Sequence, residues 1–341
     1  MSRKKIMPAL LIALLLLLPA CATAECPTFT SVPPPASRAE SGKTVSSGLP
    51  EKARPALRKS LPPGQSAASR ILTSSSGAVS ILRPSQPPTA APAKPMPPVT
   101  AKMPAASGTK VFSRQNAAVD YSNASQGYVM VRYSGTAKIK VLIYFNGSSS
   151  FYPYDLAGNG AYVALPLQSG SGSYRIRFMK NVSGNSYAEL CSTAITTAVS
   201  GFGCYLYPNQ YVNYSRSSAA VTKAKSLCAK CSSNAEKVAA INRFITTAVK
   251  YDYGKAKSVQ AGYLPNVDST LASGRGICFD YSALMAAMCR SQGIPTRLVV
   301  GNASVGYHAW NEVYLGGWKR YDTTFAAARQ SVKSYTAEKY Y

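Results

Sequence analysis

Histidine is all but missing from this sequence: among 341 residues there is one, His308. Any imidazole-dependent catalysis must therefore use that side chain. Acidic residues are also scarce, 13 against 38 lysines and arginines, for a formal charge of +25. Calcium sites are built from clustered carboxylates. Only seven acidic residues follow position 202, so no calcium site is expected. Cys228-Ala229-Lys230-Cys231 has the C-x-x-C spacing, but no second such pair and no nearby histidine completes a zinc site. No metal and no other cofactor is expected. Beyond Leu10–Leu18 no run is apolar enough for a transmembrane helix.

The apolar run that does exist has the form of an export leader. Arg3, Lys4 and Lys5 make a basic head, Leu10–Leu18 a short apolar core, and Ala22-Thr23-Ala24 a small-residue cleavage site. Leu18-Pro19-Ala20-Cys21 also has the form of a lipobox, in which Cys21 would be lipidated. The first reading takes residues 1–24 as a signal peptide, and either places the protein outside the cytoplasm, secreted or lipid-anchored. There thiols tend to pair. Without Cys21 seven cysteines remain, an odd number that permits one reactive thiol and up to three bridges. A disulfide is the favoured reading of Cys228 and Cys231, as one local bridge or within two longer ones.

The positive charge is spread along the chain, with +3, +7, +5 and +10 in residues 1–24, 25–108, 109–201 and 202–341. That distribution describes a solvated surface rather than a nucleic-acid stripe. No nucleic-acid partner is expected, whereas an anionic cell wall or membrane surface fits.

Composition divides the exported part into three. Residues 25–108 are rich in Pro, Ser, Ala and Lys and nearly devoid of aromatics. Such a segment buries too little apolar surface to offset chain entropy and reads as a disordered spacer. Residues 109–201 alternate with a period of two, as in Tyr174-Arg175-Ile176-Arg177-Phe178. Further strands are expected at Tyr128–Tyr133, Ile139–Phe145, Tyr162–Leu167 and Tyr187–Val199, with Gly158-Asn159-Gly160 as a hairpin turn. These features predict a small β-sandwich that serves as an accessory module. Residues 202–341 open with helices. Ser233-x-x-Glu236 reads as a capping box for a helix to about Val249, with Val238, Ile241, Ile245 and Val249 on its buried stripe. A second helix starts near Cys278 and buries Tyr281, Leu284, Met285 and Met288. Strands follow at Arg297–Val300, Tyr307–Leu315 and Trp318–Thr323, so the domain is α+β.

Three segments carry chemistry. Gly274-Arg275-Gly276-Ile277-Cys278 leads flexibly into a helix whose first turn bears Cys278, where unpaired N–H groups and the dipole favour a thiolate. Tyr307-His308-Ala309-Trp310-Asn311-Glu312 is a strand bearing the only base. Trp318-Lys319-Arg320-Tyr321-Asp322 is the next strand, with a carboxylate that can orient the ring. His308 and Asp322 share a face only if the hairpin loop has an odd number of residues, since a two-residue Gly-Gly turn would separate them unless a bulge intervened. The chemistry thus predicts a three-residue loop, Leu315-Gly316-Gly317, opposing Tyr314 to Trp318, with Gly317 supplying the left-handed residue. Asp280 projects about 200° from Cys278 around the helix and reads as structural. Glu312 shares the His308 face and is the stronger rival carboxylate. Cys289 reads as core or bridge, and Trp310 and Trp318 as core residues flanking the site.

In combination, Cys278, His308-Ala309-Trp310-Asn311-Glu312 and Trp318-x-x-x-Asp322-x-Thr324 resemble the core of the transglutaminase-like superfamily, in its bacterial secreted members. Lys250-Tyr251-Asp252-Tyr253 and Gly293-Ile294-Pro295-Thr296-Arg297 also match, and the resemblance covers about residues 205–326. It implies a papain-like fold, with Cys278 as nucleophile, His308 as proton shuttle and Asp322 as orienting carboxylate. Asp322-Thr323-Thr324 departs from the family's usual Asp-Pro-Thr. The implied activity is thiol acyl transfer on protein or peptide amides. Water as acceptor would make a cysteine peptidase or amidase, an amine a cross-linking enzyme, and a catalytically idle binding module is the alternative of another class.

Overall fold

The computed structural model describes residues 94–304 and 306–341. The leader, Cys21, Cys26 and the spacer up to residue 93 lie outside the described residues.

Among the described residues eight strands precede the α-helices: β1 (Val111–Arg114), β2 (Ala117–Asp120), β3 (Tyr128–Tyr133), β4 (Ile139–Phe145), β5 (Phe151–Leu156), β6 (Val163–Pro166), β7 (Gly172–Ser183) and β8 (Ser186–Thr197). They make two four-stranded sheets, ordered β1-β2-β3-β6 and β5-β4-β7-β8. Alternation along β7 buries Tyr174, Ile176 and Phe178 and turns Arg175 outward, as a half-buried strand requires. Gly158-Asn159-Gly160 is not a hairpin turn. It joins β5 to β6, which lie in different sheets, and Asn159 instead bridges to Ser134. The turn dipeptide is local, whereas the partner of each strand is a tertiary choice.

The second half contains α1 (Ala219–Cys228), α2 (Asn234–Ala248), β9 (Lys250–Tyr251), α3 (Tyr253–Ser258), α4 (Val267–Ser273), β10 (Arg275–Gly276) and α5 (Cys278–Ser291). After them come β11 (Thr296–Ala303), β12 (Gly306–Tyr314), β13 (Trp318–Tyr321), α6 (Thr323–Ala327) and β14 (Tyr335–Tyr340). The last four strands form one sheet ordered β13-β12-β11-β14. Ser233 caps α2 by accepting the Glu236 N–H at 3.2 Å, and Val238, Ile241, Ile245 and Val249 are buried as the periodicity predicts. On α5 the burial goes further: every residue from Asp280 to Ser291 is buried. This helix is the central post of the α+β part, packed against α1, α2 and the sheet.

Arg290, fully buried on α5, holds that post in place. Its Nε donates to Thr296 O at 2.9 Å, Nη1 to Tyr207 O at 2.7 Å and Nη2 to Tyr341 O at 2.6 Å. The sandwich and the α+β part, divided at 201/202 in the sequence reading, share one buried cluster from Ala117 through Ile241 and Leu284 to Tyr341.

Two expectations change. The last part of the spacer has no regular secondary structure, but residues 94–107 are docked. Met96 N–H donates to Cys231 O at 2.8 Å, Arg216 Nε to Ala101 O at 3.3 Å, and Ala105 N–H to the Tyr128 hydroxyl at 3.1 Å. Ala101 is buried. These partners are distant in sequence and invisible to composition. Nor are Cys228 and Cys231 bridged: Cys191, Cys204, Cys228, Cys231, Cys278 and Cys289 all carry free thiols. Cys231 Sγ donates instead to Leu227 O at 3.8 Å, and burial holds the Cys228 and Cys289 thiols up, at about 11 and about 12.

Candidate active site

Cys278 is the first residue of α5 and is half-buried. The approach to it is held rather than flexible. β9 and β10 pair in parallel, with Lys250 N–H donating to Gly274 O at 2.8 Å and Asp252 N–H to Gly276 O at 2.9 Å. Gly274 closes α4 in a left-handed conformation, φ 60°. At Gly276 a Cβ would lie 2.7 Å from the Asp280 Cβ, so only glycine lets the strand pass so close to the helix.

Asp280 is structural, as its position on the helix predicts, and its partners explain why it is fully buried. Oδ2 accepts the Ile277 N–H at 2.9 Å and the Lys255 ammonium at 2.7 Å, while Oδ1 accepts the Tyr263 hydroxyl at 2.6 Å. A buried carboxylate needs such compensation. One acidic side chain thereby ties the residue before Cys278 to α3 and to the loop that follows it.

His308 stands on β12, opposite Gly301 of β11, and is 1% exposed. The β12–β13 hairpin has the register that the chemistry requires: Tyr314 opposes Trp318 and Asn311 opposes Tyr321 across Leu315-Gly316-Gly317. The left-handed residue is Gly316, φ 75°, rather than Gly317. One residue beyond β13, Asp322 lies diagonal to His308, and His308 Nε2 donates to its Oδ2 at 2.8 Å. The strand ends there because Asp322 caps α6, with Oδ1 accepting the Phe325 N–H at 3.1 Å. Glu312 is not a rival, since it pairs with Arg297 at 2.9 Å. Trp310 is buried and lies near-parallel to the His308 ring at 6.3 Å. Trp318 is half-buried, and the Arg297 guanidinium sits over it at 3.8 Å.

Tyr335 on β14 is a member of this network that no sequence signal marked. Its hydroxyl donates to Asp322 Oδ2 at 2.8 Å, the atom His308 also reaches. Its ring packs against Trp310 at 5.0 Å and under the Arg320 guanidinium at 4.1 Å. Nothing in Tyr335-Thr336-Ala337-Glu338-Lys339-Tyr340 announces a strand pairing with β11. Only that pairing brings the phenol to Asp322.

Electrostatics follow from these contacts. Burial disfavours the imidazolium, but hydrogen bonding and charge from Asp322, with the Cys278 thiol beside the ring, more than offset it and raise His308 to about 9. Burial pushes the Asp322 carboxyl up, yet His308, the Phe325 N–H and Tyr335 together hold it below the ordinary aspartate range. Burial and the adjacent carboxylate both raise Tyr335, which keeps its phenol protonated as a donor. Among the described residues His308 Nδ1 has no hydrogen bond of full geometry, though the Cys278 thiol is near enough to favour the charged ring. With Nε2 committed to Asp322, Nδ1 is the ring nitrogen left for a reaction.

Cys278 and His308 open together into a cavity of about 380 Å³. Among the described residues no group of three or more His, Cys, Asp or Glu side chains gathers as a metal site.

The family model described as the transglutaminase-like superfamily matches residues 221–323, a span that includes all three segments of the site. An uncharacterised protein of Mycobacterium leprae is 36% identical over 81 residues, which cover 18% of this chain and 29% of that protein. The chain thus matches less than a third of that relative's length. Solved structures that resemble it include a candidate cysteine protease from Cytophaga hutchinsonii, at 20% identity and TM-score 0.33, over 63% of this chain and 91% of that one. The periplasmic domain of TgpA from Pseudomonas aeruginosa is similar at 15% identity and TM-score 0.31, over 69% of this chain and 77% of that one. Both superpositions are partial.

Proposed function

We propose that the transglutaminase-like core in residues 221–323 performs acyl transfer through a thioester on Cys278, with His308 and Asp322 as the other members of its triad. The observation that carries this reading is the division of labour on one imidazole. Nε2 is bonded to Asp322 at 2.8 Å, while Nδ1 is committed to no other side chain among the described residues, and Cys278, which lines the same cavity as His308, interacts with the ring. A ring held in orientation by a carboxylate and free at its other nitrogen is the arrangement that activates a nucleophile.

Each step balances on these groups. The Cys278 thiolate attacks the carbonyl carbon of an amide, and the carbon–nitrogen bond breaks as His308 Nδ1–H gives its proton to the leaving amine. A thioester remains, and His308 is neutral. Water or a second amine then attacks the thioester, His308 Nδ1 takes its proton, and the sulfur leaves as thiolate. Asp322 keeps its charge throughout and stabilises the imidazolium on either side of the cycle. A His308 pKa of about 9 keeps the ring protonated at neutral pH, ready to act as the acid of the first step. The first-turn N–H groups of α5 are the donors for the oxyanion.

Protein or peptide amides are the substrate class, and the basic leader with its apolar core supports action outside the cytoplasm, at an anionic envelope. The test is iodoacetamide labelling of Cys278 as a function of pH, followed by incubation with a labelled amine and a glutamine-containing protein. A labelling limb persisting well below pH 7, and acyl-transfer activity lost in Cys278→Ala, are the expected results. Amine incorporation indicates cross-linking, and new chain termini indicate hydrolysis. Labelling that follows an ordinary thiol titration would refute the triad.

A further inference from the structure

The walls of the cavity beside Cys278 are unlike a surface built for a polar or charged side chain. Tyr211, Tyr251, Phe279 and Tyr341 contribute aromatic rings, and Val259 and Leu264 contribute aliphatic carbon. The hydroxyls of Tyr211 and Tyr341 are engaged with protein. Tyr211 donates to Pro153 O at 3.3 Å and also hydrogen-bonds with Tyr341. Tyr263, at the rim, is committed to Asp280. Gln210, which also lines the space, has its amide N–H on Asp155 O at 2.5 Å. Among the described residues, apart from Cys278, His308 and the phenols, one ionisable group reaches the cavity, Asp155, and Lys140 neutralises it at 2.7 Å. A charged side chain entering here would lose its water and find no uncommitted counter-charge.

The wall is also held in place. Lys255 and Tyr263 both bond to the buried Asp280, pinning the stretch that carries Val259 and Leu264 against the start of the nucleophile's helix. At about 380 Å³ the space falls at the lower end of the roughly 300–1,000 Å³ typical of small-ligand pockets. It has room for one large side chain.

We propose that this cavity selects acyl donors that carry an aromatic or branched aliphatic side chain next to the reacting carbonyl. The inference rests on the thiol acyl-transfer reading above and names its substrate. It sets the protein apart from an enzyme whose acyl donor is chosen for a polar amide side chain. Leu264, at the exposed rim, and Phe279, beside Cys278 in sequence, bracket the pocket from mouth to sulfur.

The test uses the whole protein and two sets of matched peptidyl chloromethyl ketones. One set varies the residue bearing the ketone, the other the residue before it, and each carries Phe, Leu, Gln, Glu or Lys. Second-order rates of Cys278 alkylation are measured beside those of iodoacetamide. A Phe or Leu probe reacting at least about ten-fold faster than the Gln, Glu and Lys probes in one of the sets is the expected result. Leu264→Asp is expected to shrink that ratio several-fold. Equal rates, or preference for Gln or a charged residue, overturn the proposal while iodoacetamide still labels Cys278 at low pH and the triad stands. Loss of the low-pH iodoacetamide limb overturns both.

Discussion

One carboxylate oxygen, Asp322 Oδ2, receives the Nε2–H of His308 and the phenol of Tyr335, both at 2.8 Å. The two donors hold the charge that His308 needs, and the linkage has a defined sign. The pKa of His308 rises on folding from its ordinary 6.5 to about 9. Its contribution is fully present below 6.5 and is lost as pH climbs through about 9. The Asp322 carboxyl is lowered from 3.8, so its contribution is present above that value and lost as pH falls through the lowered one. The stability difference between the protein and His308→Gln should therefore be largest between pH 3.8 and 6.5. It should approach about 3 kcal/mol there and shrink toward pH 9. Urea denaturation of both proteins at a series of pH values reads this directly, and a difference that grows with pH would contradict it.

Helix α5 does two jobs at once, presenting Cys278 at its start and burying nearly everything after it. Its anchor at the far end is Arg290, whose three backbone acceptors come from Tyr207, Thr296 and Tyr341. Arg290→Met keeps much of the aliphatic volume but strands those carbonyls. A buried acceptor left without a donor costs about 1–3 kcal/mol. Stability measured by chemical denaturation should fall by about 3–5 kcal/mol. A loss below about 1 kcal/mol would mean that water or a shifted helix replaces the guanidinium.

Across the whole molecule, the segment 94–107 ties the sandwich to the α+β part. It bonds to Cys231 and Arg216 on one side and to Tyr128 on the other. Asn123 Nδ2 also donates to Ala105 O at 2.9 Å, and Val99 packs beside Gly293. A chain beginning at residue 109 should be less stable than one beginning at residue 94 by about 2 kcal/mol or more, since each such bond nets about 0.5–1.5 kcal/mol. Equal melting temperatures would show that the segment only rests on the surface.

How much of this was legible depends on the range of the interaction concerned. The helix opening at Cys278, the sole histidine on its strand, the α2 cap and the α5 stripe are legible from counting, periodicity and capping chemistry over a few residues, whereas the choice of Asp322 over Glu312, and with it the β12–β13 loop, was implied by the family resemblance. The sequence by itself therefore determined the candidate site and the α+β class. Tertiary structure alone decided the rest. It put Tyr335 on Asp322 and Arg290 under three distant carbonyls. It sent β5 and β6 to different sheets and laid residues 94–107 along the core. The physical reason is that each of these is a pairing between groups far apart in the chain, and a pairing energy leaves no local pattern in the residues that supply it.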